Sequence, residues 1–101
     1  MKFFFSKKEI EELCQHWDIV ELSFFGSVLR DDFREDSDVD VMVSFSPSAE
    51  YGLFALSRLK EELESIFGRK VDLVDRAAVE NSRNFIRRKE ILESRETVYA
   101  A

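Results

Sequence analysis

The sequence predicts one small domain of the α/β (α+β) class, a mixed β-sheet flanked by helices, spanning residues 1–101. With 101 residues, the chain is long enough for one domain and too short for a second catalytic one. Its 45% hydrophobic content is ordinary for a globular protein and argues against disorder. Segments with helical and strand periodicity alternate in the order α-β-(α)-β-α-β-α, which is typical of helices packed on a sheet.

The first half of the chain contains clear helix and strand signals. Ser6 and Glu9 have the spacing of a capping box, so a helix is predicted to begin after Ser6. Apolar residues then recur on one helical face: Ile10, Leu13, Cys14 and Trp17. Residues 19–25 form an apolar run that ends at Gly26, which predicts a strand followed by a tight turn. The three aromatic residues 3–5 are expected to cover the sheet or to form an interface patch.

The second half predicts two more strands, two more helices and a short terminal segment. Valines alternate with other residues at positions 39, 41 and 43, which indicates a strand. A loop is predicted over 44–52 and a helix over 53–67, with Gly68 as its C-terminal cap. A strand is predicted over 70–75 and a helix over 82–93, and residues 97–99 form either a short strand or a tail.

Charge and composition exclude several classes of protein. With 15 basic and 21 acidic residues, the net charge of -6 excludes nucleic-acid binding by bulk electrostatics. The single cysteine, Cys14, excludes an internal disulfide and a cysteine-rich zinc site, and it is expected in the core. No apolar run approaches the ~18 residues of a membrane span. The apolar start is too short for a secretory signal, so the expected compartment is the cytoplasm.

Three aspartates are candidates for a metal site. Asp38 and Asp40 lie two residues apart on a predicted strand, so their side chains point to one face, roughly 6.6 Å apart. Two carboxylates on one face repel each other unless a cation lies between them, and oxygen ligands of this kind suit Mg²⁺. Asp72 is a third carboxylate on another predicted strand, and Asp75 is its rival. If the strands are neighbours, three carboxylates converge on a two-metal site.

The turn before the aspartates has features that favour a phosphate. Gly26 lets the backbone approach a ligand closely, and Ser27 offers a hydroxyl. The residues after it are expected to form a first helical turn whose amide groups favour an anion. Arg30 lies one turn further on and could reach the same phosphates. Turn and aspartates together suit phosphoryl or nucleotidyl transfer, which depends on positioning and charge neutralisation.

The motif of Gly26-Ser27, ten residues and then Asp38-Val39-Asp40 resembles the G-S-x10-D-x-D signature of the polymerase-beta-type nucleotidyltransferase superfamily. In its short length the chain resembles members of the minimal nucleotidyltransferase branch, which consist of about one catalytic domain. The resemblance implies that Asp38 and Asp40 hold two Mg²⁺ ions and that Asp72 completes the site as ligand or base. It further implies nucleotide-binding roles for the following residues: Gly26 and Ser27 on the β,γ-phosphates of ATP, with Arg30 and Ser37 secondary.

The resemblance to minimal nucleotidyltransferases also implies a partner protein. Many members of that branch are antitoxins that are paired with a HEPN-domain RNase toxin. The resemblance implies transfer of AMP from ATP to a tyrosine of that toxin, with no direct contact to nucleic acid or membrane. Two alternatives stay open. The chain could neutralise its partner by binding alone, through the acidic segment 31–36, since residues 31–40 hold six carboxylates and one arginine. It could also modify a small molecule such as an aminoglycoside, although the short length argues against this.

Overall fold

The structure is a computed structural model that describes residues 5–29, 37–49, 51–52 and 54–101. Four strands form one sheet in the order β3-β2-β1-β4. The elements follow the chain in this order: α1 (Lys7–His16), β1 (Ile19–Phe25), a 3-10 turn (Gly26–Leu29), β2 (Val39–Phe45), α2 (Ala55–Phe67), β3 (Val71–Asp75), α3 (Arg76–Glu80), α4 (Phe85–Glu93) and β4 (Glu96–Ala100). Within the described residues, no helix has the length and apolar character needed to cross a membrane.

Strand pairing makes the sheet mixed, as the sequence predicts. β1 pairs antiparallel with both β2 and β4, whereas β2 and β3 run parallel. In this register Asp40 is paired with Phe25 on one side and with Asp72 on the other. The C-terminal end of β1 therefore meets the N-terminal ends of β2 and β3 at one end of the sheet.

Local capping signals explain where α1 begins and where α2 ends. The Ser6 hydroxyl accepts a hydrogen bond from the Glu9 amide at 3.2 Å, which confirms the predicted start of α1. α2 ends at Gly68, whose φ of 66° is left-handed, as a glycine cap requires. The described part of α2 begins at Ala55, and Leu53, the predicted start, lies outside the described residues.

The region after β3 differs most from the prediction. Asp75 caps a short helix, α3, by accepting a hydrogen bond from the Ala77 amide at 3.1 Å. Five residues are too few to show helical periodicity, which is why the sequence does not predict this helix. α4 begins at Phe85 rather than at 82, because the Ser82 hydroxyl accepts a hydrogen bond from the Asn84 amide in the preceding turn. The segment 97–99 lies within a strand, β4, rather than a tail.

The main core lies between one face of the sheet and helices α1 and α2. Alternation places Val39, Val41 and Val43 on this face, and all three are fully buried. They pack with apolar residues of β1 and of both helices: Leu22, Phe24, Ile10, Leu13, Cys14, Leu59 and Leu63. The Phe5 ring packs edge-on against Phe24 and Phe67, with ring centroids 5.6 and 5.4 Å apart. Phe5 therefore covers the sheet, whereas Phe3 and Phe4 lie outside the described residues.

A second, smaller cluster lies on the opposite face of the sheet under α3 and α4. It consists of Phe25, Met42, Val79 and Ile91, all buried. Because Met42 and Asp40 are two residues apart on β2, Asp40 lies on this face as well, nearer to the end of the strand. The second layer of helices thus stands beside the predicted carboxylates.

Candidate active site

Strand pairing brings two of the three predicted aspartates next to each other. Asp40 and Asp72 are paired residues on the parallel strands β2 and β3, which lie about 4.8 Å apart in a sheet. Both are near the start of their strands, and both side chains are on the face that carries Met42. Asp40 is half-buried and Asp72 is exposed. Two carboxylates in this position create a concentrated negative charge at the end of the sheet.

Gly26 packs directly against one of these carboxylates. It has a φ of 70°, and a Cβ built on it would be 2.2 Å from Oδ2 of Asp40. Cβ atoms essentially never come closer than 3.0 Å to a neighbouring atom, so only glycine fits here while Asp40 keeps its position. The 3-10 turn that begins at Gly26 is the helical turn expected after β1. The backbone of the turn at Gly26 therefore packs directly against the Asp40 carboxylate, and the two residues form a Gly26–Asp40 unit.

A cleft of about 670 Å³ opens above this unit, within the usual range for small-molecule sites. Its sheet side is formed by Phe25, Asp40 and Asp72. Glu90 of α4 also lines the cleft, as does Ser94, which follows the end of that helix. Neither residue belongs to the sequence motif, and only the packing of α4 on the sheet brings Glu90 to the cleft.

The other predicted site residues are not among the described residues that line the cleft. Ser27 follows Gly26 in the 3-10 turn. Ser37 and Asp38 precede β2, and Asp38 is exposed and does not line the cleft. Arg30 lies outside the described residues, as does the acidic segment 31–36. Asp75, the rival third carboxylate, lies at the far end of β3 opposite Val43, where it caps α3.

The donor set fits a magnesium–nucleotide complex better than a metal ion held by protein alone. No group of three or more His, Cys, Asp or Glu side chains among the described residues is arranged to hold a metal ion. Mg²⁺ is commonly bound through one or two carboxylates, with substrate phosphates and water supplying the other ligands. Asp40 and Asp72 provide that number of carboxylates, and both line the cleft. Which of the aspartates hold metal stays a prediction.

Comparison with known proteins decides the family. Residues 6–98 match the nucleotidyltransferase domain family. The chain belongs to this family. It is 37% identical over 73 residues to the protein adenylyltransferase MntA of Thermococcus cleftensis, an alignment that covers 70% of each chain. This nucleotidyltransferase domain thus resembles an enzyme named for transferring an adenylyl group to protein.

Solved structures share the fold of this nucleotidyltransferase. A protein provisionally described as a minimal nucleotidyltransferase is 31% identical, with a TM-score of 0.67 over 89% of this chain and 86% of that one. A toxin–antitoxin structure with AMP-PNP superposes with a TM-score of 0.70 over 95% of this chain and 74% of that one, at 18% identity. An MNT antitoxin bound to a tri-AMPylated HEPN toxin of Shewanella oneidensis gives 0.62 over 94% and 70%, also at 18% identity. At 18% identity, these two likenesses concern the fold.

Proposed function

We propose that this nucleotidyltransferase is the antitoxin of a toxin–antitoxin pair, and that it transfers AMP from ATP to a tyrosine hydroxyl of a HEPN toxin in the cytoplasm. The observation that carries the proposal is the arrangement in which Gly26 packs against Asp40 and Asp40 is paired with Asp72. The chain that has this arrangement is 37% identical to the adenylyltransferase MntA. Solved toxin–antitoxin complexes with AMP-PNP or with an AMPylated HEPN toxin have the same fold, which supports a partner of this kind.

In this proposal the cleft binds ATP with its phosphates beside the aspartates. Asp38, Asp40 and Asp72 are the proposed Mg²⁺ ligands, and Mg²⁺ when bound would neutralise the phosphate charge. Asp40 and Asp72 line the cleft, and Asp38, two residues before Asp40, is proposed to bind the metal together with them. The Gly26-Ser27 backbone, which packs at Gly26 against the Asp40 carboxylate, is proposed to bind the β,γ-phosphates. Arg30 and Ser37 are proposed to have secondary roles in binding the nucleotide.

The reaction needs a hydroxyl to be positioned more than it needs a strong nucleophile. The acceptor oxygen forms a bond to the α-phosphorus of ATP, and the bond from that phosphorus to the β-phosphate bridging oxygen breaks. Pyrophosphate leaves, and the hydroxyl proton passes to a carboxylate of the site. Asp72 suits this last role because it is exposed at the cleft, on the strand at the edge of the sheet, where a partner's side chain can reach it.

The proposal is tested by incubating the protein with its partner toxin, labelled ATP and Mg²⁺, and locating the label by mass spectrometry. Asp72→Asn should abolish transfer, because it removes one of the paired carboxylates. Asp75→Asn is the matched control, since it changes an aspartate of the same strand and keeps a residue that caps helices well. Label on a tyrosine of the toxin, lost only in Asp72→Asn, supports the proposal.

Two results would overturn it. If the toxin is inhibited without ATP and carries no label, the protein acts by binding alone. If the toxin is not labelled and a small hydroxyl compound such as an aminoglycoside is, the substrate class is wrong. If Asp72→Asn and Asp75→Asn lose AMP transfer equally, the assignment of Asp72 to the active site is refuted, because the two carboxylates lie at opposite ends of β3.

A further inference from the structure

We infer that Glu90 is a specificity-determining residue that binds the ribose hydroxyls of the nucleotide and thereby selects ribonucleotides over deoxyribonucleotides. The inference rests on the proposed function, because it concerns the nucleotide in the same cleft. It adds a residue on α4 that the family motif, confined to the β1 turn and the strands, does not include.

Packing of the neighbouring residue fixes the position of Glu90. Ile91 is only 5% exposed and packs with Phe25 and Met42 of the sheet. A buried residue at this point sets the rotation of α4 about its axis, so the helix cannot turn Glu90 away without breaking the apolar cluster. Glu90 consequently lines the same cleft as Asp40 and Asp72, from the helix rather than from the sheet.

Glu90 is available to a ligand. It is exposed, and no hydrogen bond or ion pair joins its carboxylate to the other described residues. An ionised carboxylate only accepts hydrogen bonds, so its natural partners are groups that donate them. The 2′- and 3′-hydroxyls of a ribose are two adjacent donors, which the two oxygens of one carboxylate can accept together. A deoxyribose offers one donor fewer.

Charge determines which part of the nucleotide faces Glu90. The phosphates carry the negative charge, and the Asp40–Asp72 side of the cleft is where the proposed Mg²⁺ would compensate for it. A phosphate placed against Glu90 would meet a like charge instead. The uncharged nucleoside therefore lies toward α4. Leu29 and Phe25 add apolar surface to the cleft, which suits a sugar and base rather than a phosphate.

The test measures binding by calorimetry with ATP, 2′-deoxyATP and 3′-deoxyATP in the presence of Mg²⁺. Losing a hydrogen bond to a charged group should weaken binding of either deoxynucleotide to the wild type about ten-fold. Glu90→Ala should bind all three nucleotides about equally, and Glu90→Gln should retain a smaller preference. Glu93→Gln is the matched control, because Glu93 is an exposed glutamate of the same helix that does not line the cleft.

The outcomes separate this inference from the proposed function. A ribose preference that is lost in Glu90→Ala and kept in Glu93→Gln supports the inference. If the wild type binds ATP and transfers AMP but shows no ribose preference, or if Glu90→Ala keeps the preference, the role of Glu90 is refuted while the proposed function stands. If the wild type binds none of the nucleotides, the proposed function fails and the inference fails with it.

Discussion

Replacing Gly26 by alanine should impair the site far more than it impairs folding. Two separate effects act at this position. The φ of 70° is left-handed, and an alanine in that region costs about 1–2 kcal/mol. The added Cβ would also lie 2.2 Å from the Asp40 carboxylate oxygen, well inside the 3.4 Å at which ordinary contact begins. Because that oxygen is at the end of a side chain, Asp40 can move away by roughly 1 Å.

Gly68 separates the two effects. Its φ of 66° nearly equals that of Gly26, but no atom lies within 4 Å of a Cβ built there. Gly68→Ala and Gly26→Ala should therefore lose a similar free energy of unfolding, about 1–2 kcal/mol, which lowers the Tm by roughly 4–16 °C in a domain of this size. Only Gly26→Ala displaces a carboxylate of the site. A misplacement of ~1 Å costs about a hundred-fold in rate.

The assay compares both variants by urea denaturation and by the rate of AMP transfer. We expect equal losses of stability, a rate near wild type for Gly68→Ala, and a rate about a hundred-fold lower for Gly26→Ala. If the two variants are equally active at a temperature where both are folded, the close approach of Gly26 to Asp40 has no role in catalysis.

Two further predictions concern the core. Leu63→Ala should lower the free energy of unfolding by about 2–5 kcal/mol, since Leu63 is fully buried between α2 and the sheet; a loss below ~1 kcal/mol on urea denaturation would contradict this packing. Burial, with a smaller contribution from Glu11, raises the pKa of Cys14 from 9.0 to about 12. The unfolded thiol loses its proton first, so stability from this group is complete below about pH 9 and falls between pH 9 and 12. Urea denaturation at about pH 8 and pH 10.5 checks this, and the pH-dependent loss should be smaller in Cys14→Ala.

Local signals account for much of what the sequence predicts correctly. The cap at Ser6, the left-handed Gly68 and the alternation of valines in β2 each depend on a few neighbouring residues. The first strand, Ile19–Phe25, has the predicted bounds because an apolar run ends at a glycine. Short-range rules of capping and periodicity are sufficient for such elements.

Contacts distant in the sequence explain what the sequence does not predict. Periodicity indicates which face of a strand Asp40 and Asp72 occupy, but only the register of β2 with β3 makes them direct neighbours. Asp75 is paired with Val43 at the other end of β3 and caps α3, because it directly precedes the first residue of that helix. Glu90 enters the cleft because Ile91 packs under α4 on residues far away in the chain. A single sequence carries no local signal for such a long-range contact.

The most direct test of the central claim is calorimetric titration of ATP with and without Mg²⁺, on the wild type, Asp40→Asn and Asp75→Asn. The claim is that Asp40, paired with Asp72 and packed against Gly26, is part of a magnesium-dependent ATP site. It predicts that wild type and Asp75→Asn bind ATP only when Mg²⁺ is present, and that Asp40→Asn loses this binding. Wild-type binding that is unaffected by Mg²⁺, or unchanged binding by Asp40→Asn, would contradict it.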